Sequence, residues 1–306
     1  MPSWQSELFR RFSRLSQPRV AAGAAADIAE LRRQYTYLSD RFGAAPGDVA
    51  FEAGHVGPIK GEWVKHGPST ADRLILYFHG GGYIAGSPET HRPLIARLAQ
   101  ASEAHAFVPA YRLAPEFAFP AAVRDGIDAY RHLIAKVDPK AIVVAGDGSG
   151  GGLAFAVLLA ARNAGLAMPA AVVAMSPWAD LSLSGLSVLT NKGNDTALTW
   201  ELLFLSARQY LRKTNPCDPY ASPAYANFRD FPPVMVHAGS LEMLKDDASR
   251  IGDRAADSGT PVSVEIYDHM QHVFQANPYV PEARVSLQRL GQFVRAKTPA
   301  VRDTAP

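Results

Sequence analysis

Three stretches of the chain hold residues whose types and spacing could do chemistry. His79-Gly80-Gly81-Gly82-Tyr83 closes the apolar run Arg73–His79. Consecutive glycines let backbone N–H groups approach a ligand with no Cβ in the way, and two or three such donors can hold a developing oxyanion. The second stretch, Gly146-Asp147-Gly148-Ser149-Gly150-Gly151-Gly152, lies between the apolar runs Ala141–Ala145 and Leu153–Ala164. Strand, glycine-dense turn and helix in that order is the setting of G-x-S-x-G, where a sharp turn exposes a nucleophilic serine. Here residue 148, the centre of that pattern, is glycine, and the turn's serine comes one place later, at Ser149. The third is a pair of late segments. Glu242, Asp246 and Asp247 follow one apolar run, and His269 and His272 follow the next. Nucleophile, acid, base is then the chain order, and an imidazole held by a carboxylate can take a hydroxyl proton. A lone loop histidine is ordinarily a surface residue; the order and the strand-end placement argue for function. Of the two, His272 is the expected base and His269 shapes the turn.

These residues need a scaffold, and the pattern of the chain supplies one. Asp48–Ala53 and Ile59–His66 alternate as strands do. From there strands and helices take turns: strand 73–79, helix 93–101, strand 105–111, helix 121–135, strand 141–145, helix 153–164, strand 170–176. After an irregular polar region at 183–220, with a helix near Trp200–Tyr210, come strand 233–238, helix 244–258, strand 262–267 and helix 281–295. This alternation implies right-handed crossovers and a mainly parallel sheet. Two helical patterns precede it, at 3–16 and 25–42. The first carries Trp4, Leu8, Phe9, Phe12 and Leu15, an apolar face short enough to pack on its own domain rather than rest on a membrane. The predicted organisation is residues 1–45 as N-terminal cap helices, then a sheet domain at 46–300 with a cap insertion at about 183–220. The tail from Lys297 is expected to fray.

Composition narrows the function classes. The chain has 306 residues, 47% hydrophobic, enough for a large core. Its net charge of +2 carries no basic block, so no nucleic-acid partner is expected. A single cysteine, Cys217, excludes an intrachain disulfide framework and suits a reducing compartment. No apolar run near the centre is long enough for a bilayer, and no leucine-rich segment follows a basic start, so a cytoplasmic protein is expected.

Taken together, the motifs resemble those of the bacterial hormone-sensitive-lipase-like (family IV) esterases of the α/β-hydrolase superfamily. The markers are HGGGY at 79–83, Gly86-Ser87 with Thr90-His91-Arg92, and Tyr111-Arg112-Leu113-Ala114-Pro115-Glu116 with Phe119-Pro120-Ala121. Ser176-Pro177-Trp178, Tyr220-Ala221-Ser222-Pro223 and Met270-x-His272 complete the set. The resemblance implies an α/β-hydrolase fold: an eight-stranded, mainly parallel sheet flanked by helices, with a helical cap. It implies hydrolysis of short- or medium-chain carboxylic esters through a serine acyl-enzyme, with no metal and no cofactor. By the same resemblance Gly80, Gly81 and the amide of Ser149 supply oxyanion donors. Tyr83, Asp147 and Asn194 become candidate substrate contacts. Many members carry aspartate where Leu241 stands and others glutamate one place later, which matches Glu242; Asp246 is the alternative acid.

The departure is Gly148, where the family has the serine of GDSAGG. Using Ser149 instead would slip the turn by one residue and put Asp147 where the tight turn wants glycine. The expectation is therefore an esterase scaffold whose nucleophile position is Gly148, with Ser149 as the alternative nucleophile. Two other readings stay open. One is a non-hydrolytic ligand-binding protein on this fold, as in the plant gibberellin receptor, which is similar to these esterases; intact Glu242 and His272 argue against it. The other is a dinucleotide site, because Gly146-x-Gly148-x-x-Gly151 also fits that fingerprint. The acid it needs at the end of the next strand is missing, since Ala170–Met175 carries none. Edge strand 262–267 is available for pairing across a homodimer.

Overall fold

The computed structural model describes residues 2–15, 28–39, 43–67 and 73–299. The alanine-rich stretch at 21–26, the ends of the second predicted helix and the tail beyond 299 lie outside the described residues. Eight strands form one sheet in the order β1-β2-β4-β3-β5-β6-β7-β8. They are β1 (Val49–Val56), β2 (Ile59–His66), β3 (Leu74–Phe78), β4 (His105–Pro109), β5 (Ile142–Asp147), β6 (Ala171–Met175), β7 (Val234–Gly239) and β8 (Val262–Tyr267). β1 pairs antiparallel with β2 and β2 antiparallel with β4; all later pairings are parallel. The split follows the sequence. β1 and β2 are mostly exposed or half-buried, with only a few buried positions each, whereas β3, β5 and β6 are buried at every residue, as central strands covered on both faces must be.

Helices α3 (Pro88–Ser102), α4 (Ala121–Ile134), α5 (Gly148–Asn163), α8 (Lys245–Asp257) and α9 (Pro281–Lys297) cross over between strands or close the sheet. α3 begins earlier than the apolar pattern predicts, because Ser87 and Thr90 form a reciprocal capping box and Pro88 occupies the first turn. α5 also begins earlier, at Gly148, so the glycine-dense turn is the first turn of a helix buried on nearly all sides.

α1 (Trp4–Leu15) and α2 (Ile28–Ser39) precede the sheet, while α6 (Ser187–Thr190) and α7 (Trp200–Leu211) lie between β6 and β7. α2 and α7 dock on the loops at the carboxyl ends of β3 and β4. Arg32 donates to the carbonyls of Ile84 and Ala114 and pairs with Glu116. Arg212 donates to Pro115 O, and Tyr210 stacks flat on Tyr83 with ring centroids 3.9 Å apart. On the α1 face expected to pack, Trp4 is 72% exposed and Leu8 is exposed as well; the side chains of Phe9, Phe12 and Leu15 lie outside the described residues. Ser3 instead ties the start of α1 to Glu282. Among the described residues no helix is long and apolar enough to cross a membrane.

Candidate active site

The carboxyl ends of β3, β5, β7 and β8 bring the three sequence stretches together. β5 ends at Asp147 and α5 begins at Gly148, which has φ +50°, a left-handed conformation that glycine adopts without strain. The flanks show which residue the turn is centred on. A Cβ on Gly146 would collide with the carbonyl of Gly150, and one on Gly150 with the carbonyls of Phe78 and His79. Glycine is thus enforced two places before and two places after residue 148. That is the G-x-S-x-G frame with its centre at Gly148, not at Ser149. The Ser149 hydroxyl accepts from the Tyr83 amide at 3.3 Å, and no hydrogen bond links it to His272. This corrects the alternative nucleophile.

Opposite Gly148 stands His272. Its Nε2 is 3.3 Å, and its Cε1 3.7 Å, from the position a Cβ on Gly148 would take. Its Nδ1 lies 3.0 Å from Oε2 of Glu242, a fully buried carboxylate. In the neutral ring this bond keeps the proton on Nδ1 and leaves Nε2 as the acceptor facing residue 148. Gly239 N donates to Glu242 Oε1 at 3.2 Å. Burial alone would lower the His272 pKa. The hydrogen bond and charge of Glu242, with the charges of Asp195 and Asp147, outweigh burial and hold it above 6.5. Asp246 accepts from Ser187 N at 2.8 Å and has no bond to His272, which corrects the alternative acid. His269 is half-exposed at φ +58° in the turn.

The glycine loop differs from expectation in one donor. Gly80 N is spent within the protein, 3.1 Å from Asp147 Oδ1 and 3.2 Å from His91 Nε2. The amides of Gly81 and Gly82 carry no such bond. The amide of Ser149 is in the first turn of α5, where backbone donors have no intrahelical partner and Asp147 provides no side-chain cap. A helix N-terminus also favours negative charge.

The expected substrate contacts fare differently. Tyr83 is 1% exposed and locked in its stack with Tyr210, so its ring is core. Asp147 is buried and committed to the Tyr77 hydroxyl at 2.7 Å, Gly80 N and His91. It shapes the glycine loop and does not face a substrate. Asn194 is exposed in the turn between α6 and α7.

A set of residues that sequence reading missed clamps the acid and base loops. Asn191 donates to the carbonyls of Ser240 and Glu242. Asp195 accepts from Met243 N at 2.8 Å. Thr196 donates through both N and Oγ1 to Gln271, the neighbour of His272. The only signal in the sequence was the Asn/Asp/Thr content of 183–220.

The comparisons with known proteins agree with this geometry. The alpha/beta hydrolase fold family matches residues 75–276. An acetyl-hydrolase of Streptomyces hygroscopicus is 42% identical over 278 residues, 89% of this chain and 91% of its own. The chain belongs to the α/β-hydrolase family. Within it, the hormone-sensitive-lipase-like esterases are its branch. The structure of an esterase from the bacterial hormone-sensitive lipase family superposes with a TM-score of 0.91 at 36% identity, over 98% of this chain and all of its own. That of EstE5, soaked with p-nitrophenyl butyrate, gives 0.90 at 35% identity over 96% and 99%. This α/β-hydrolase is built as a carboxylesterase.

Proposed function

We propose that this chain is a carboxylic ester hydrolase for short or medium acyl esters whose nucleophile position is occupied by Gly148. One observation carries the reading: an imidazole fixed by Glu242 points its acceptor nitrogen at the place where a residue-148 side chain would stand. A protein that only bound ligands would gain nothing from that pair.

With a hydroxyl at position 148 the mechanism follows. His272 Nε2 takes the hydroxyl proton as oxygen attacks the ester carbonyl. Glu242 fixes the tautomer and stabilises the imidazolium. The amides of Gly81, Gly82 and Ser149 hold the tetrahedral oxyanion, and His272 returns the proton to the departing alcohol. Water then repeats the cycle on the acyl-enzyme.

Helices α1, α2, α6 and α7 form the cap in this reading. The exposed edge of β8 suits a homodimer formed by strand addition. One cysteine suits the cytoplasm. A fluorophosphonate probe tests the core of the proposal. The chain as it stands should resist labelling and Gly148→Ser should label at the new hydroxyl. Labelling of the unaltered chain at Ser149 would overturn it.

A further inference from the structure

We infer that the unaltered chain retains a slow esterase activity of a different kind, in which His272 activates water directly and no acyl-enzyme forms. The inference rests on the ester-hydrolase reading above. Three observations carry it. First, residue 148 has hydrogen for a side chain, and the space beside it is bounded by His272 Nε2 at 3.3 Å and Gly80 Cα at 3.9 Å from the Cβ position. An oxygen atom at hydrogen-bond distance from Nε2 fits where Cβ and Oγ of a serine would be. Second, the His272 side chain keeps 12% of its surface exposed, so solvent reaches the ring, while Glu242 keeps Nε2 as the acceptor. Third, the oxyanion donors belong to backbone, so replacing the side chain at 148 leaves them in place.

The step balances with water alone. Nε2 removes a proton from water as its oxygen bonds to the ester carbonyl carbon. The carbonyl π electrons move to oxygen and are held by the amides of Gly81, Gly82 and Ser149. The intermediate collapses, the carbon–alkoxy bond breaks, and the alkoxide takes the proton from Nε2. Acid and alcohol leave, and the imidazole is neutral again. Donors and binding alone are worth about 10³–10⁴-fold over the uncatalysed rate, and a positioned base adds about 10²-fold or more.

The test uses the full-length chain, first exhausted with a fluorophosphonate so that contaminating serine hydrolases are silent. Turnover of p-nitrophenyl acetate is then followed beside His272→Ala, Glu242→Gln and Gly148→Ser. The expected result is turnover that survives the reagent, shows no pre-steady-state burst, and falls about 10²-fold in His272→Ala. Should His272→Ala fail to fold, Glu242→Gln must lower the same residual rate. Residual turnover that vanishes with the reagent, or that both variants leave intact, overturns the inference. Activity in Gly148→Ser with none in the treated parent also overturns it, while leaving the ester-hydrolase reading standing. An inert Gly148→Ser sinks that reading instead.

Discussion

His272 Nε2 stands 3.3 Å from the point a Cβ on Gly148 would occupy, and Nδ1 of the same ring lies 3.0 Å from Glu242. The base is aligned on a residue that has nothing to deprotonate. A hydrogen-bonded, buried His–Glu pair is costly to keep where no proton moves, so its retention links residue 148 to catalysis.

Restoring the hydroxyl should cost stability. Gly148 sits at φ +50°, where a side chain is strained, and a Cβ there would crowd Nε2. Gly148→Ser is expected to lose about 1–3 kcal/mol. In thermal unfolding that is a fall of several degrees in Tm. An unchanged or higher Tm would show that the turn is not strained.

The pH dependence follows from the raised His272 pKa. The folded protein holds this proton more tightly than the unfolded chain does. Stability from the pair is therefore complete below the ordinary value of 6.5 and fades as pH rises through the folded pKa. Catalysis needs the neutral ring, so the acid limb of kcat/KM in Gly148→Ser should lie above 6.5. Adding Glu242→Gln should move the limb to lower pH and cut kcat by about 10⁴-fold. A limb that stays in place would remove Glu242 from its role.

Asp147 is expected to act through the glycine loop. Its carboxylate accepts from Gly80 N at 3.1 Å and so anchors the start of the loop. In the Gly148→Ser background, Asp147→Asn should lower kcat about 10- to 100-fold, the worth of a hydrogen bond to a charged group. KM should hold, because donors to the oxyanion matter in the transition state. Loss confined to KM would assign Asp147 to substrate binding after all.

The fold was legible because periodicity reports burial. Continuous apolar runs at 142–145 and 171–175 are strands covered on both faces, and the polar residues interleaved in β1 and β2 mark strands largely in solvent. The pairing of Glu242 with His272 was legible from chain order and strand ends. The commitment of the Gly80 amide was illegible, because no pattern in HGGG says that Asp147 and His91 will take it. Tyr83 looked like a pocket residue; only its partner Tyr210, far along the chain, makes it core. The clamp at Asn191, Asp195 and Thr196 was illegible for the same reason, since its meaning lies in contacts across the fold.

That clamp should tune the base. Asp195 accepts from Met243 N in the acid loop, and its charge favours protonated His272. In Gly148→Ser, Asp195→Asn should shift the acid limb to lower pH and reduce kcat about 10-fold. A purely structural residue would lower Tm and leave the limb where it was.

The most direct test compares kcat/KM for p-nitrophenyl butyrate between the unaltered chain and Gly148→Ser. The account predicts a gain of about 10⁴-fold on restoring the hydroxyl, which is the roughly 10⁶-fold worth of a nucleophile in such a triad less the roughly 10²-fold that His272 already supplies with water. An unaltered chain already turning over at the rate of the variant, or a variant that gains nothing, would contradict it.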